Sequence, residues 1–331
     1  MRRRFVKTLL LFGSLAAAAI LVAPLAGSTP ISLARAFDRS RPFAQNVDAQ
    51  IFFVARLPRV LAAGLVGSAL ALSGVVFQAL LRNPLASPDT LGVSAGASLG
   101  AMLAITFHAD FTLFGVSAVP LASFAGSVGA LAIVYALSIA RRRGSSSMVL
   151  LLAGVTLTAL LSAVVRFVQY LADFNATFQT SRWMMGSLDV ASYAPLVTAL
   201  VPMTAAWIGF ATLPRVLDLL SLGTESAAAR GVNVVRSERV ALASASLAVG
   251  AAVSLGGPVA FVGIIVPHLV RLIVGADHRL VLPASALFGS AFLIACDLVG
   301  RTLFAPVELP VGIVTAIIGG PVFLWLLFRR A

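Results

Sequence analysis

The sequence predicts an all-α polytopic membrane protein with about ten transmembrane helices. Of its 331 residues, 60% are hydrophobic and only 11% are charged, and the mean hydropathy is +1.01. A soluble globule of this size needs more polar side chains to cover its surface, whereas each bilayer crossing needs an apolar run of about 20 residues. The arginines stand mainly at the ends of such runs, which is typical of membrane topology signals.

Ten apolar windows of helical length follow one another along the chain. They span residues 5–27, 57–81, 90–107, 113–140, 148–171, 191–213, 238–256, 258–274, 280–300 and 308–328. The eighth window is short and contains Gly263 and Pro267, so we expect a broken or steeply tilted helix there. The first window has the outline of a secretory signal, but its apolar segment exceeds the about 7 to 15 residues of a signal core, which favours a retained helix.

The distribution of basic residues predicts the orientation of these helices. Ten crossings put both termini on one side of the membrane. With the amino terminus inside, the inner flanks carry roughly twice as many basic residues as the outer flanks. We therefore expect a multi-pass protein with both termini in the cytoplasm. No soluble domain remains outside the windows, so residues 1–331 should form a single transmembrane domain.

The polar residues exclude several other classes of protein. The formal net charge of +12 would suit nucleic acid in a soluble protein, but here the arginines flank apolar runs, so nucleic-acid binding is not predicted. Cys296 is the single cysteine, which excludes an intrachain disulfide and a cysteine-ligated metal cluster. The three histidines have no metal-ligand spacing, and no catalytic groups converge in the pattern. We expect no metal site and no cofactor.

The longest polar stretch between the later windows spans about residues 214–237 and is predicted to lie in the cytoplasm. Thr224 can cap a short helix that continues to Ala229, with Glu225 near its positive end and Gly231 suited to its stop. The pattern indicates a compact helix outside the bilayer. Such a helix can bind a partner protein or simply connect two transmembrane helices.

Several motifs, in one order, resemble those of the FecCD permease family, whose members are membrane subunits of bacterial ABC importers for iron-siderophores, haem and vitamin B12. The similarity covers nearly the whole chain past residue 50. It implies the type II ABC importer permease architecture and a location in the bacterial inner membrane. The motifs that carry it are Arg56-Leu57-Pro58-Arg59, Gln78 with Asn83-Pro84-Leu85-Ala86, Leu91-Gly92-Val93-Ser94 with Gly96-Ala97, Leu151-Leu152-Ala153-Gly154-Val155, Trp183-Met184-Met185-Gly186-Ser187, Gly257-Pro258-Val259-Ala260-Phe261-Val262-Gly263 with Pro267-His268, and Glu308-Leu309-Pro310-Val311-Gly312.

The resemblance also implies a set of partners: a second copy of the chain, two copies of a cytoplasmic ATP-binding subunit, and a periplasmic substrate-binding protein. Lys7 is the only lysine and no G-x-x-x-x-G-K-[ST] sequence occurs, so the chain lacks a P-loop. ATP hydrolysis is therefore expected on the partner, and this chain is not expected to be an enzyme. An iron-siderophore is the first cargo candidate, followed by haem and vitamin B12.

Two other classes stay open at this point, an ion-coupled secondary transporter and a membrane-embedded enzyme. A secondary transporter should carry charged relay residues near the middle of the bilayer. Here only Arg166 and Asp297 approach the interior of a window, and both stand towards a predicted outer end. An enzyme should present converging catalytic groups, which the spacing does not show.

The resemblance assigns roles to residues at both ends of the helices. The ATPase-coupling residues it implies are Leu222, Gly223, Thr224, Glu225, Ser226, Ala227 and Gly231. Arg56, Arg59 and Arg301 would face acidic side chains on the binding protein, since exposed guanidinium groups form paired hydrogen bonds with carboxylates. Alternatively these are ordinary interfacial arginines, and Arg301 pairs with Asp297 one helical turn earlier.

Two further segments are candidates for the translocation path. Ser145, Ser146 and Ser147 resemble the small-residue loop that narrows the cytoplasmic exit in the family, although a plain polar turn has the same composition. Arg166, Gln169 and Tyr170 share one face of the fifth window, so they either line the path and meet anionic cargo or lie where Arg166 snorkels to the outer interface. Residues 173–189 are expected to form a loop whose aromatic side chains cover the outer mouth or anchor at the headgroups.

Overall fold

The structure is a computed structural model that describes residues 2–38, 40, 42–113, 115–140, 147–190 and 192–328. Within these ranges the chain is almost entirely helical. The α-helices are α1 (Arg2–Val22), α2 (Leu33–Ala36), α3 (Val47–Gln50), α4 (Leu57–Leu80), α5 (Val93–Thr106), α6 (Ala118–Ala140), α7 (Ser147–Leu171), α8 (Phe174–Met184), α9 (Ala194–Thr212), α10 (Pro214–Ser221), α11 (Thr224–Ala229), α12 (Val234–Gly256), α13 (Val262–Val274), α14 (His278–Thr302) and α15 (Val311–Phe328). A π-helical stretch, Ile51–Arg56, joins α3 to α4, and 3-10 turns cover Ala23–Leu25, Phe43–Gln45 and Pro88–Leu91.

Each of the ten predicted windows contains a helix, which confirms the predicted fold class. In the described part of the chain, seven helices are long and apolar enough to cross a membrane, and the shorter apolar helices α5, α13 and α15 occupy the other three windows. In the eighth window one helix runs without interruption from Val262 to Val274, through Gly263 and Pro267, so the structure shows no break at these two residues. With 13 residues, α13 rises about 20 Å, less than the roughly 30 Å of a hydrocarbon core.

Helix α4 lies at the centre of the bundle, and 89% of the residues in its most apolar window are therefore buried. It packs against α12, α13 and α14. Glycines allow backbone to meet backbone at two of these crossings: a Cβ atom added to Gly67 would lie 2.1 Å from the carbonyl oxygen of Gly289, and one added to Gly74 would lie 1.9 Å from that of Gly263. Such close contacts hold helices together where lipid supplies no hydrophobic driving force. Helices α4, α13 and α14 therefore form one tightly packed unit.

The remaining helices surround this unit. Helix α1 packs on α14, where the Phe12 and Phe288 rings meet edge to face with their centroids 5.7 Å apart. On another side, α5 packs against α6 and α7, and α12 packs against α6 and α9. Only 22% of the most apolar window of α7 is buried, so this helix leaves a long face open.

Two predicted boundaries differ from the structure. Residues 173–189 were expected to form a loop, but α8 occupies most of them, because the Asp173 carboxylate accepts a hydrogen bond from the Ala176 backbone N–H (2.7 Å) and caps the helix. The fourth window begins with a small antiparallel pair, β1 (Thr112–Leu113) and β2 (Val116–Ser117), so α6 starts only at Ala118.

Candidate coupling and translocation sites

Helices α10 and α11 form the segment between α9 and α12 that was predicted to lie in the cytoplasm. Leu217 and Leu220 are buried where α10 packs against α4 and α14, so the segment rests on the bundle instead of hanging free. Leu222 is 65% exposed, and the Glu225 side chain is also exposed. The segment thus presents an apolar and an acidic side chain to the solvent from a fixed base.

The predicted helix from residue 224 to residue 229 is confirmed, but its cap differs. The N-cap is Gly223, with φ +122° and ψ 147°, a conformation that is essentially restricted to glycine, whereas Thr224 is the first helical residue. At the other end Gly231 has φ +81°, and its N–H and that of Val232 bond back to the last turn at 2.9 and 3.1 Å, which is a Schellman stop. Ala227 is fully buried and cannot itself contact a partner.

The base of this segment contains a hydrogen-bonded contact that the sequence did not reveal. The Asp218 carboxylate of α10 accepts a hydrogen bond from the backbone N–H of His278 (3.0 Å), and the same oxygen lies 2.6 Å from Nδ1 of the His278 ring. His278 is buried and is the first residue of α14. A carboxylate suits the positive end of a helix. No local pattern links two residues 60 positions apart.

A second unpredicted contact joins α4 to α13. Pro267 lacks an N–H, so the carbonyl of Gly263 has no helical donor four residues on. The Gln78 side-chain amide, which is buried, donates to that carbonyl at 3.1 Å. Its oxygen accepts a hydrogen bond from the Arg271 guanidinium. Gln78 therefore replaces the hydrogen bond that the proline removes.

A cluster of charged side chains lies at the end of α14 that was predicted to face outward. Arg59 bonds to Asp297 through Nε (2.9 Å) and to Glu308 through a terminal nitrogen (2.5 Å). The Arg301 Nε lies 3.0 Å from Asp297, an ion pair that is not aligned as a hydrogen bond. The helical pairing of Arg301 with Asp297, one of the two alternatives, is thus present. We call Arg59, Asp297, Arg301 and Glu308 the outer charge cluster.

The expected exposure of the three arginines is wrong. Arg56 and Arg301 are only 6% and 4% exposed, and the side chain of Arg59 is 13% exposed. Arg56 donates to the backbone carbonyls of Pro24, Leu25 and Thr29. Arg301 donates to those of Ala23 and Ala26. The backbone carbonyls just after α1 have no helical donors, and both guanidinium groups supply the missing hydrogen bonds. A docking role for these arginines stays a prediction.

The predicted path residues lie on the open face of α7. Arg166 and Tyr170 are exposed, the latter by 86%, and Gln169 is half-buried. Beyond the end of α7, the exposed rings of Phe174 and Phe178 stack with centroids 6.5 Å apart. Of the predicted gate, Ser145 and Ser146 lie outside the described residues; Ser147 begins α7, and its side chain is not described.

Asp89 lies in the turn between α4 and α5, which is predicted to be cytoplasmic. Burial raises the pKa of its carboxyl group, and the hydrogen bond from the Ser94 hydroxyl opposes that rise only in part.

Within the described ranges, no group of three or more histidine, cysteine or acidic residues could hold a metal ion.

Comparison with known proteins gives the same picture over most of the chain. The sequence model of the FecCD transport family matches residues 15–329 of this chain. The hemin transport system permease protein of Yersinia pestis is 42% identical over 278 residues, 83% of this chain and 82% of that protein. The cobalamin import system permease protein of Halobacterium salinarum is 43% identical over 276 residues, 83% of this chain and 72% of that protein.

A solved structure of a metal-chelate type ABC transporter, in an inward-facing conformation, superimposes with a TM-score of 0.85 at 34% identity and covers 98% of this chain and 100% of that one. The match covers nearly the whole chain, so it includes α10, α11 and the outer charge cluster. The chain belongs to the FecCD transport family.

Proposed function

We propose that this chain is the transmembrane permease subunit of an ATP-driven importer that carries an iron chelate, in the first place an iron-siderophore, across the bacterial inner membrane. The observation that carries the proposal is the segment formed by α10 and α11, which we call the coupling segment: its short helix α11 has an exposed face, and α10 is anchored on the bundle through buried leucines. A segment of this kind can receive force from a partner and pass it to the transmembrane helices. Because the chain has no P-loop, the partner must supply the ATPase.

The surface of the coupling segment favours contact through its exposed side chains. Leu222 and Glu225 face the solvent, and Gly231, which follows α11, is exposed as well. Gly223, Thr224 and Ser226 are partly covered and shape the turn. In this proposal two ATP-binding subunits each receive one such segment, one from each copy of the permease.

The open face of α7 supports a homodimer. An exposed arginine on a membrane-spanning helix is costly against lipid and normally faces protein or a water-filled path. A second copy that places its own α7 opposite the first would enclose Arg166, Gln169 and Tyr170 around a central path. We propose that this path ends at a cytoplasmic gate formed by Ser145, Ser146 and Ser147.

On the predicted periplasmic side, we propose docking of a substrate-binding protein next to the outer charge cluster. Arg59 is the arginine that an external carboxylate can reach with least rearrangement, because its partner Glu308 is 45% exposed. Arg56 and Arg301 would contribute by holding the end of α1 in place.

The test is reconstitution of the permease with its cognate ATPase and binding protein in liposomes, followed by measurement of ATP hydrolysis and of cargo uptake. We expect Gly223→Val and Glu225→Lys to abolish uptake while the ATPase stays active, since valine cannot adopt the Gly223 backbone conformation and lysine reverses an exposed charge. Asp110→Lys makes the same type of charge reversal at an exposed site on the predicted opposite side and should leave uptake unchanged. Undiminished uptake in the coupling variants, or uptake driven by an ion gradient without ATP, would contradict the proposal.

Haem is the second cargo candidate. The relative from Yersinia pestis is a hemin permease, and the exposed face of α7 is largely apolar with one cation, Arg166. Two such cations across a dimer axis suit an apolar cargo that carries two carboxylates. Measuring the uptake of ferric siderophore, haemin and cobalamin, each offered with its own binding protein, separates the candidates. Import of haemin that is reduced by Arg166→Gln supports haem as the cargo, and import of the ferric siderophore supports the iron-siderophore.

A further inference from the structure

We propose that Asp218 is the residue through which the coupling segment moves α14, and that α14 carries this movement to the outer charge cluster. The inference rests on the proposed function and adds a route within the chain. It assigns Asp218 a positioning role, since nothing places this side chain next to cargo or nucleotide.

The first step is the contact between the coupling segment and α14. One oxygen of Asp218 meets both the backbone N–H of His278, at 3.0 Å, and Nδ1 of the His278 ring, at 2.6 Å. A carboxylate accepts hydrogen bonds, so Nδ1 carries the proton in this pair. The contact is therefore two-pronged and directional, and it involves the first residue of α14. Leu217 and Leu220 of α10 are buried and α10 packs against α14, so we expect a rotation of α10 to move this end of α14.

The second step is the stiffness of α14 and its neighbours. With 25 residues, α14 is about 37 Å long, enough to span the hydrocarbon core. The backbone contact between Gly67 and Gly289 ties it to α4 near its middle, and the contact between Gly74 and Gly263 ties α4 to α13. Close-packed interfaces of this type transmit small shifts because they cannot deform continuously. A displacement at His278 is thus shared by the central unit and is not absorbed within one helix.

The third step is the far end of the helix. Asp297 and Arg301 both belong to α14, and Arg59 lies in the first turn of α4 on the same side of the bundle. Arg301 also holds the backbone that follows α1, and Arg59 reaches Glu308, two residues before the motif proline that precedes α15. Any shift of α14 along its axis therefore changes the geometry of the outer charge cluster. The cluster is the point where α1, α4, α14 and the loop before α15 meet.

The experiment uses the complete complex in lipid nanodiscs, with spin labels at Leu303 and Phe107 in a Cys296→Ala background. Both labelled positions are exposed, at 63% and 75%. Leu303 directly follows α14, whereas Phe107 follows α5, which lies outside the central unit. We expect ATP to change the distance between the labels in the parent protein. In Asp218→Ala we expect that change to disappear and the amount of cargo imported per ATP to fall about fivefold or more, the usual lower end of coupling between distant sites.

Two further variants separate positioning from a general loss of structure. Asp277→Ala removes the N-cap of the same helix, a hydrogen bond of 2.9 Å from the Arg279 N–H, without touching α10, and should keep import per ATP at the parental value. Asp218→Asn retains an oxygen that accepts from both His278 donors and should restore most of the coupling. If Asp218→Ala does not assemble, His278→Ala still tests the inference, because it removes the ring contact alone and predicts an intermediate loss.

A full ATP-dependent distance change in Asp218→Ala, or equal losses in Asp218→Ala and Asp277→Ala, would overturn the inference and leave the proposed function in place. A parent complex that imports cargo without consuming ATP would overturn both.

Discussion

The bridge between Gln78 and the carbonyl of Gly263 makes a quantitative prediction about stability. Gln78→Leu puts an apolar side chain of similar size between α4 and α13 and removes the amide that donates to this carbonyl. Leaving a buried acceptor without a partner costs about 1–3 kcal/mol. The close contact of Gly74 with Gly263 leaves no space for a water molecule to take the place of the amide on that side. We expect the free energy of unfolding to fall by about that amount.

Pro267 provides the internal control for this prediction. Replacing it with alanine restores a backbone N–H one helical turn after Gly263, and this donor can satisfy the same carbonyl. In the Pro267→Ala background, Gln78→Leu should therefore cost less than in the parent. The difference between the two costs is the interaction free energy, which we expect to be about 1–2 kcal/mol.

The assay is equilibrium unfolding of the four proteins in mixed micelles, titrated with a denaturing detergent and followed by circular dichroism. Each variant should first be shown to run as a single species on gel filtration. Equal destabilisation by Gln78→Leu in both backgrounds would refute the reasoning, because it would mean that the amide acts through packing or through Arg271 and not as the replacement for the proline N–H.

Three other predictions concern packing, pH and the outer arginines. Gly74→Ala should prevent stable folding, because the new Cβ would lie 1.9 Å from a backbone oxygen of α13, whereas Gly13→Ala, with no atom within 4 Å of its Cβ, should leave the thermal midpoint unchanged. The raised pKa of Asp89 in the folded state means that ionisation of its carboxyl group lowers stability as the pH rises above about 4. Asparagine does not ionise, so Asp89→Asn should raise the thermal midpoint at neutral pH and make the midpoint fall less as the pH rises. Arg301→Leu should free the end of α1, so that limited proteolysis cuts between residues 23 and 29 faster than in the parent, and equal cleavage rates would contradict the role of this side chain.

The helices could be predicted from the sequence because the bilayer imposes a simple rule. Backbone groups in hydrocarbon must be satisfied within the segment, so every long apolar run becomes a helix. The ten windows follow from this rule alone. Helix α8 could also have been predicted, since Asp173 stands three residues before Ala176 at a typical capping position, although the aromatic side chains that follow suit a loop at the headgroups equally well.

The contacts between helices could not be predicted in this way. Arg59 and Asp297 are 238 residues apart, and Asp218 and His278 are 60 apart, and each pair forms only because two particular helices pack side by side. Gln78 and Pro267 are both motif residues, yet their relation needs the register of α4 against α13. Hydropathy predicts that a helix crosses the membrane, but it does not predict which face of the helix packs against which neighbouring helix.

The outer arginines illustrate how this ambiguity affects a functional assignment. An arginine at the end of an apolar helix has the same local sequence whether it binds a partner protein or acceptors of its own chain. Here the arginines bind acceptors that come from distant segments of the chain. Arg59 is held by two carboxylates, Asp297, with 1% of its side chain exposed, and Glu308, with 45% exposed. An external carboxylate can replace only Glu308, because removing Asp297 would leave Arg301 as a buried charge without its ion-pair partner. Docking through Arg59 would then exchange one exposed ion pair for another. Since exposed pairs contribute about 0–1 kcal/mol, the exchange can align a binding protein on this surface, while most of its affinity must come from other contacts.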